Sequence, residues 1–204
     1  MKMNNKGKRI ILASGSPRRR ELLAGLDIEF EVDTVNYFKE NCSNDIPHRQ
    51  IPAAMSEGKS AGFHRPLDND EILITADTLV LCGNEVLGKP KGGNDTEKAE
   101  DAARMLRLLS GKGHEVITAV TIRDRADKET FSDTAVVHFK DLSEEEISYY
   151  IRNFRPFDKA GAYGIQEWIG YVGVTGIRGS FYTVMGLPVH LVYSSLEKFI
   201  EKGI

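Results

Sequence analysis

RIILASGSPRRRELLAG, residues 9–25, sets the reading of this chain. Its first five residues, Arg9 followed by the apolar Ile10-Ile11-Leu12-Ala13, fit a short buried strand. Ser16 and Pro17 then open a helix: serine suits the N-cap, and proline suits the first helical position, where its missing N–H costs nothing. The helix runs over 18–24 and stops at Gly25, which fits a C-terminal cap. A strand that passes straight into a helix start is the repeating step of α/β proteins. The rest of the chain keeps that alternation. A second strand is predicted at 29–33, a polar loop at 37–47, and a helix at 52–63 weakened by Gly58. Residues 72–81 are the most strand-like run, and Cys82-Gly83-Asn84-Glu85 turns it back into Val86-Leu87. A helix after Asp95 aligns Ala99, Ala102, Leu106 and Leu109 on one face. Strands at 115–123 and 129–139 pair around a polar turn at 124–128. Ser143 and Glu146 form a capping-box signature ahead of the stripe Ile147, Tyr150, Ile151, Phe154. Glycine-punctuated strands are predicted over 171–184, and a last helix from Pro188 carries Val192, Leu196 and Phe199. The fold class is therefore α/β, with a mixed, twisted central sheet flanked by helices.

Composition narrows the function. In 204 residues, 41% are hydrophobic, enough for a packed core. Lys plus Arg number 27 and Asp plus Glu 30, a net charge of −3. Proteins that wrap nucleic-acid polymers are normally basic, which argues against such a partner. The longest apolar run is four residues, as in Ile10-Ile11-Leu12-Ala13, far short of the roughly 20 that cross a bilayer. No secretory signal is legible, so a soluble, cytoplasmic protein is expected. The two cysteines, Cys42 and Cys82, form no CxxC and stand near no histidine cluster. That argues against a disulfide or zinc, and any metal is expected to be a hard cation held by carboxylates and a phosphorylated ligand. No repeat or long linker separates independent domains.

Several segments carry polar groups suited to chemistry, each with a plainer reading beside it. Ser14-Gly15-Ser16-Pro17-Arg18-Arg19-Arg20 sits at a helix N-terminus, a natural phosphate seat that arginines strengthen; an N-cap with solvated arginines fits too. Asp77-Thr78 follows an apolar strand. A carboxylate there must be paired, metal-bound or shifted in pKa, unless the strand is an exposed edge. Gly88-Lys89-Pro90 offers a stiff loop with a point charge, or a solvated turn. Lys59 adds a cation on the helix at 52–63. In Asp158-Lys159-Ala160-Gly161-Ala162-Tyr163-Gly164-Ile165-Gln166, small residues and an ion pair lead to an amide able to donate to and accept from a planar polar edge; a tight structural turn is the alternative. Residues 179–188 read mainly as structural.

In this order, the segments resemble the Maf family of nucleoside triphosphate pyrophosphatases, also called septum-formation inhibitors. Ser14-Gly15-Ser16-Pro17-Arg18-Arg19 fits the opening SxSPRR, Lys59 the helical lysine, Asp77-Thr78 the DT pair and Gly88-Lys89-Pro90 the GKP loop. Leu109-Ser110-Gly111 with His114 fits LSGxxH, 158–166 fits DKAGxYGIQ, and Gly186-Leu187-Pro188 fits GLP. The resemblance spans residue 9 to the final helix and implies one domain over 1–204, elongated, with two lobes around a cleft and often a homodimer. It implies hydrolysis of a nucleoside triphosphate between the α and β phosphates with a divalent cation, Mg²⁺ or Mn²⁺. Asp77 is then the proton acceptor or a metal ligand, Glu40 a second metal ligand, and Ser14, Arg19, Lys59, Lys89 and Lys159 contacts to substrate. Arg18, Thr78 and Gln166 match the dTTP/UTP branch. A sibling branch that prefers 7-methyl-GTP has an aromatic, a glutamine and a glutamate at those places. That sibling activity on modified purines, or a non-catalytic nucleotide-binding regulator of division, is the alternative.

The chain departs from the family pattern at three places. Lys39-Glu40 replaces two acids, so only Glu40 is carried over. Glu57-Gly58 precedes Lys59 where an arginine-rich helix is commoner, and Glu167 replaces the usual glycine after Gln166.

Overall fold

The computed structural model describes residues 4–39 and 46–202. The chain divides into two compact units. One takes the residues up to Asp77, then Thr118–Asp133 and the residues from Gly186 onward; the other takes Thr78–Ile117 and Thr134–Met185.

The first unit opens with β1 (Arg9–Leu12), α1 (Pro17–Ala24) and β2 (Glu31–Val32). α2 (Ile51–Ala61) follows a short 3-10 turn and leads to β3 (Glu71–Cys82), whose residues through Asp77 belong to this unit. β1 pairs in parallel with both β2 and β3, Ile11 lying opposite Glu31 on one side and Leu73 on the other. The sheet edge at β2 is shorter than the sequence predicts: two exposed residues form the strand. Ile11, Phe63, Leu67 and Leu73 make a buried cluster. The helix-start prediction holds, with the Ser16 hydroxyl accepting the Arg19 N–H and Pro17 at the first position. Gly25 closes α1 in a right-handed conformation, and the left-handed residue comes two positions later at Asp27 (φ 54°). α2 ends at Ala61 rather than at 63. Its Gly62 carbonyl accepts the Tyr37 N–H at 2.8 Å, and a Cβ on Gly62 would stand 2.7 Å from the Phe38 nitrogen. Gly58 has the same cause: a Cβ there would meet the Phe38 ring at 2.2 Å. The glycine that weakens the helix in sequence is what admits the ring.

The second unit holds the remainder of β3, β4 (Glu85–Leu87), α3 (Asp95–Leu109), α4 (Glu144–Phe154), α5 (Trp168–Gly173), β7 (Val174–Arg178) and α6 (Phe181–Met185). β5 (Gly113–Arg123) and β6 (Lys128–Phe139) have residues in both units, and α7 (Val189–Glu201) returns to the first. β4 pairs antiparallel with β3 through a two-residue turn in which Gly83 takes φ +59°. β7 pairs antiparallel with β6. The strand order is β2-β1-β3-β5-β6-β7 with β4 on β3, so the sheet is mixed, as predicted. α3 packs on α4, whose capping box is formed in both directions.

The prediction of strands over 171–184 is corrected. Trp168–Gly173 is helical, only Val174–Arg178 is a strand, and Phe181–Met185 is helical again. Position 170 must be glycine, because a Cβ there would lie 1.7 Å from the Ile165 carbonyl oxygen. Gly179 ends β7 at φ +115°, where only glycine is relaxed. The glycines that punctuate the predicted strands instead mark helix packing and a strand end.

Candidate active site

β1 delivers the chain to the first cluster. The Ala13 N–H bonds Ile74 O at 2.9 Å, and the next residue, Ser14, accepts the Ser16 N–H on its hydroxyl at 3.3 Å. Arg19 then ties this turn to β3: Nη1 reaches Ala76 O at 2.8 Å and Ser14 Oγ at 3.4 Å, while Nε reaches Gly186 O at 2.9 Å. Sequence reading assigns Arg19 to substrate and leaves 179–188 as structural. In the fold, Gly186, at φ +108°, presents the carbonyl that orients Arg19. A backbone carbonyl leaves no residue signature, so the GLP motif marks the position in the sequence but not this role.

Asp77 follows Ala76, half-buried, and Lys59 Nζ meets its Oδ1 at 2.7 Å. The pair is built from below. Thr75 lies two residues before Asp77, on the same face of the strand. Thr75 Oγ1 donates to Ser56 O at 2.8 Å, and Ser56 Oγ donates to Thr75 O at 3.2 Å. Ser56 Oγ also reaches Thr121 Oγ1 at 2.9 Å, and all three side chains are buried. Beyond Lys59, Arg123 donates to Ser60 Oγ at 3.0 Å and Ser60 O at 3.1 Å. Burial lowers the Arg123 pKa. Asn36 Nδ2 donates to Lys59 O at 2.6 Å. The Ser56–Thr75 bonds dock α2 on the strand that carries Asp77, and Arg123 of β5 and Asn36 hold the helix on either side of Lys59. Arg18 is half-buried on the first turn of α1. Glu40 lies outside the described residues.

The other expected residues belong to the second unit. Thr78 follows Asp77 on the opposite face of β3 and is half-buried. Lys89 is exposed between Gly88 and the buried Pro90, and the Gly161 N–H donates to Gly88 O at 3.1 Å, joining this loop to the segment at 158–166. Gly161 sits at φ +68°, with Val80 3.0 Å from the position of a Cβ. Lys159 is buried, its Nζ 2.8 Å from Asp158 Oδ1 and 3.0 Å from Glu167 Oε1. Gln166 Oε1 is buried without a hydrogen-bond partner among the described residues. His114 is buried and paired to Tyr163 OH at 2.7 Å, with Phe139 packed edge-on to both rings. Burial lowers its pKa to about 4. A cavity of about 450 Å³ lined by Val86, Gly88, Lys91, Asp101, Arg104 and Met105 shares only Gly88 with the expected segments.

Among the described residues no cluster of three His, Cys, Asp or Glu side chains is placed to hold a metal by itself. Asp77 beside a phosphate-bearing ligand suits a cation of the magnesium type, which commonly takes one or two carboxylates and completes its shell with phosphate oxygens and water. The donor set therefore fits a divalent ion that arrives with a polyphosphate.

A strand-to-helix turn held by an arginine, beside an aspartate on a parallel strand and its lysine partner on α2, defines an α/β protein that gathers cationic groups at a helix start, where phosphates commonly bind. Comparison with known proteins gives the family. Residues 9–199 match the model of the Maf-like proteins, and the chain belongs to that family. A dTTP/UTP pyrophosphatase of Porphyromonas gingivalis is 45% identical over 98% of this chain and 98% of its own. One of Phocaeicola vulgatus is 47% identical over 93% of this chain and 95% of its own. A HAM1 protein from Coxiella burnetii resembles the structure with a TM-score of 0.36 and 13% identity, covering 63% of this chain and 70% of that one, too distant a likeness to transfer anything.

Proposed function

We propose that this protein hydrolyses dTTP and UTP to the nucleoside monophosphate and pyrophosphate, with Mg²⁺ or Mn²⁺. The relatives that bear this name match almost end to end. The observation that carries the residue assignment is the Asp77–Lys59 pair beside the Ser14 turn. Phosphoryl transfer needs positioning and charge neutralisation more than covalent chemistry. In this reading water adds across the α–β phosphoanhydride: its oxygen bonds to phosphorus, its proton passes to an Asp77 carboxylate oxygen, and the bridging oxygen leaves with its phosphate. Lys59, Arg19, Lys89 and the helix start at Ser14 stabilise phosphate charge, and Arg18 and Thr78 contribute to selectivity. Asp77, with Glu40 as the second ligand the resemblance implies, would hold the divalent ion, which when bound would supply further charge neutralisation at the phosphates. The orphaned Gln166 oxygen supports the pyrimidine reading: a buried acceptor favours a donor such as the N3–H of uracil or thymine.

The homodimer implied by the resemblance and the cytoplasmic location expected from composition belong to the same reading; among the described residues no helix is long and apolar enough to cross a membrane. Purified protein with each cation and a panel of dTTP, UTP, CTP and 7-methyl-GTP tests the proposal. Monophosphate and pyrophosphate are expected from dTTP and UTP first. Preference for 7-methyl-GTP supports the sibling activity, and nucleotide binding without product supports a regulator.

A further inference from the structure

The segment that ends in Gln166 is tied down by groups the proposed reaction does not use. Tyr150, wholly buried on α4, donates its hydroxyl to Glu167 Oε2 and accepts the Gly164 N–H at 2.9 Å. Burial and the adjacent Glu167 carboxylate raise the Tyr150 pKa, so the phenol stays a donor. The other Glu167 oxygen takes Lys159 Nζ at 3.0 Å, and the same ammonium takes Asp158 Oδ1 at 2.8 Å. The Glu167 N–H closes the turn on Gly164 O at 2.9 Å. At Gly164 a Cβ would stand 2.7 Å from Glu167 Cδ, so glycine there is part of the arrangement. One carboxylate thus binds a helix phenol and the Lys159 ammonium at the far end of the 158–167 segment, while the Glu167 N–H closes the turn directly beside Gln166.

Two consequences follow from charge and geometry. Two carboxylates on one buried ammonium leave a net negative group, so Lys159 is better placed to hold the segment than to meet a phosphate. Gln166 has an unpartnered buried oxygen and therefore discriminates by donor and acceptor pattern, which works only if the amide is held still.

We propose that Glu167, clamped by Tyr150 and Lys159, is a positioning residue that fixes Gln166 for reading the base and so sets selectivity among pyrimidines. This rests on the pyrophosphatase reading above and on Gln166 as its base contact. Uracil presents an N3–H to the Gln166 oxygen, whereas cytosine presents a bare N3, so loosening the amide erodes UTP preference while leaving Asp77 untouched.

The test compares kcat and KM for UTP and CTP in wild type, Glu167→Gly, Glu167→Gln and Tyr150→Phe, each checked for folding by circular dichroism and thermal melting. In Glu167→Gly, KM for UTP is expected to rise about tenfold with kcat within about twofold, and the UTP:CTP ratio of kcat/KM to fall about tenfold. Glu167→Gln, which keeps an acceptor for Tyr150, recovers most of the ratio. Tyr150→Phe shifts it in the same direction and carries the test if the glycine variant does not fold. An unchanged UTP:CTP ratio in folded variants, or a fall in kcat alone, overturns the inference and leaves the pyrophosphatase reading standing. A wild type that cleaves neither nucleotide overturns that reading, and the inference with it.

Discussion

Asp77 and Lys59 are eighteen residues apart along the chain and 2.7 Å apart in space. An acid at the end of an apolar run has to find a partner, so Asp77 was legible from sequence and its lysine only through family resemblance. The contact of Gly186 to Arg19 was not legible, because it is made by a carbonyl. His114 shows what a single burial does. Its folded pKa, about 4, lies below the ordinary value near 6.5, so between those values the unfolded chain binds the extra proton. Its contribution to stability is therefore complete above pH 6.5 and is lost as pH falls towards 4. Urea unfolding at pH 7 and pH 5 is expected to show wild type losing about 2 kcal/mol more than His114→Asn across that step. Equal losses in the two proteins would show that His114 takes up its proton in the folded state as easily as in water.

At the scale of elements, the meeting of α2 with β3 is the part on which the proposed function depends. The reciprocal hydrogen bonds of Ser56 and Thr75 set the register that brings Lys59 to Asp77. Thr75→Val keeps the shape and removes the donor, leaving the Ser56 carbonyl short of a buried bond. A stability loss of about 1–2 kcal/mol is expected by denaturant titration, with kcat falling more than KM rises. A fall in stability with unchanged kcat would detach this dock from the chemistry. The alternation of strands and helices, the hairpin at Gly83 and the capping box at Ser143 were readable because each has a local residue signature. The end of α2 and the helices at 168–173 and 181–185 were not. Gly58, Gly62 and Gly170 answer to Phe38 and to the Ile165 carbonyl, neighbours that only the folded chain supplies.

On the scale of the whole molecule, the proposed function takes Ser14, Arg19, Lys59 and Asp77 from the first unit for the phosphate chemistry, and Lys89 for phosphate and Gln166 for the base from the second. The family membership, over residues 9–199, is what makes one reaction out of these parts. The central claim is that Asp77 takes the proton in cleavage of the α–β anhydride. Wild type and Asp77→Asn, matched in melting temperature, are incubated with dTTP and Mg²⁺, and the products are separated by anion exchange. Wild type is expected to release thymidine monophosphate and pyrophosphate, and the variant to do so about 10³-fold more slowly. Equal rates in the two proteins, or no pyrophosphate from wild type with either cation, would contradict the account.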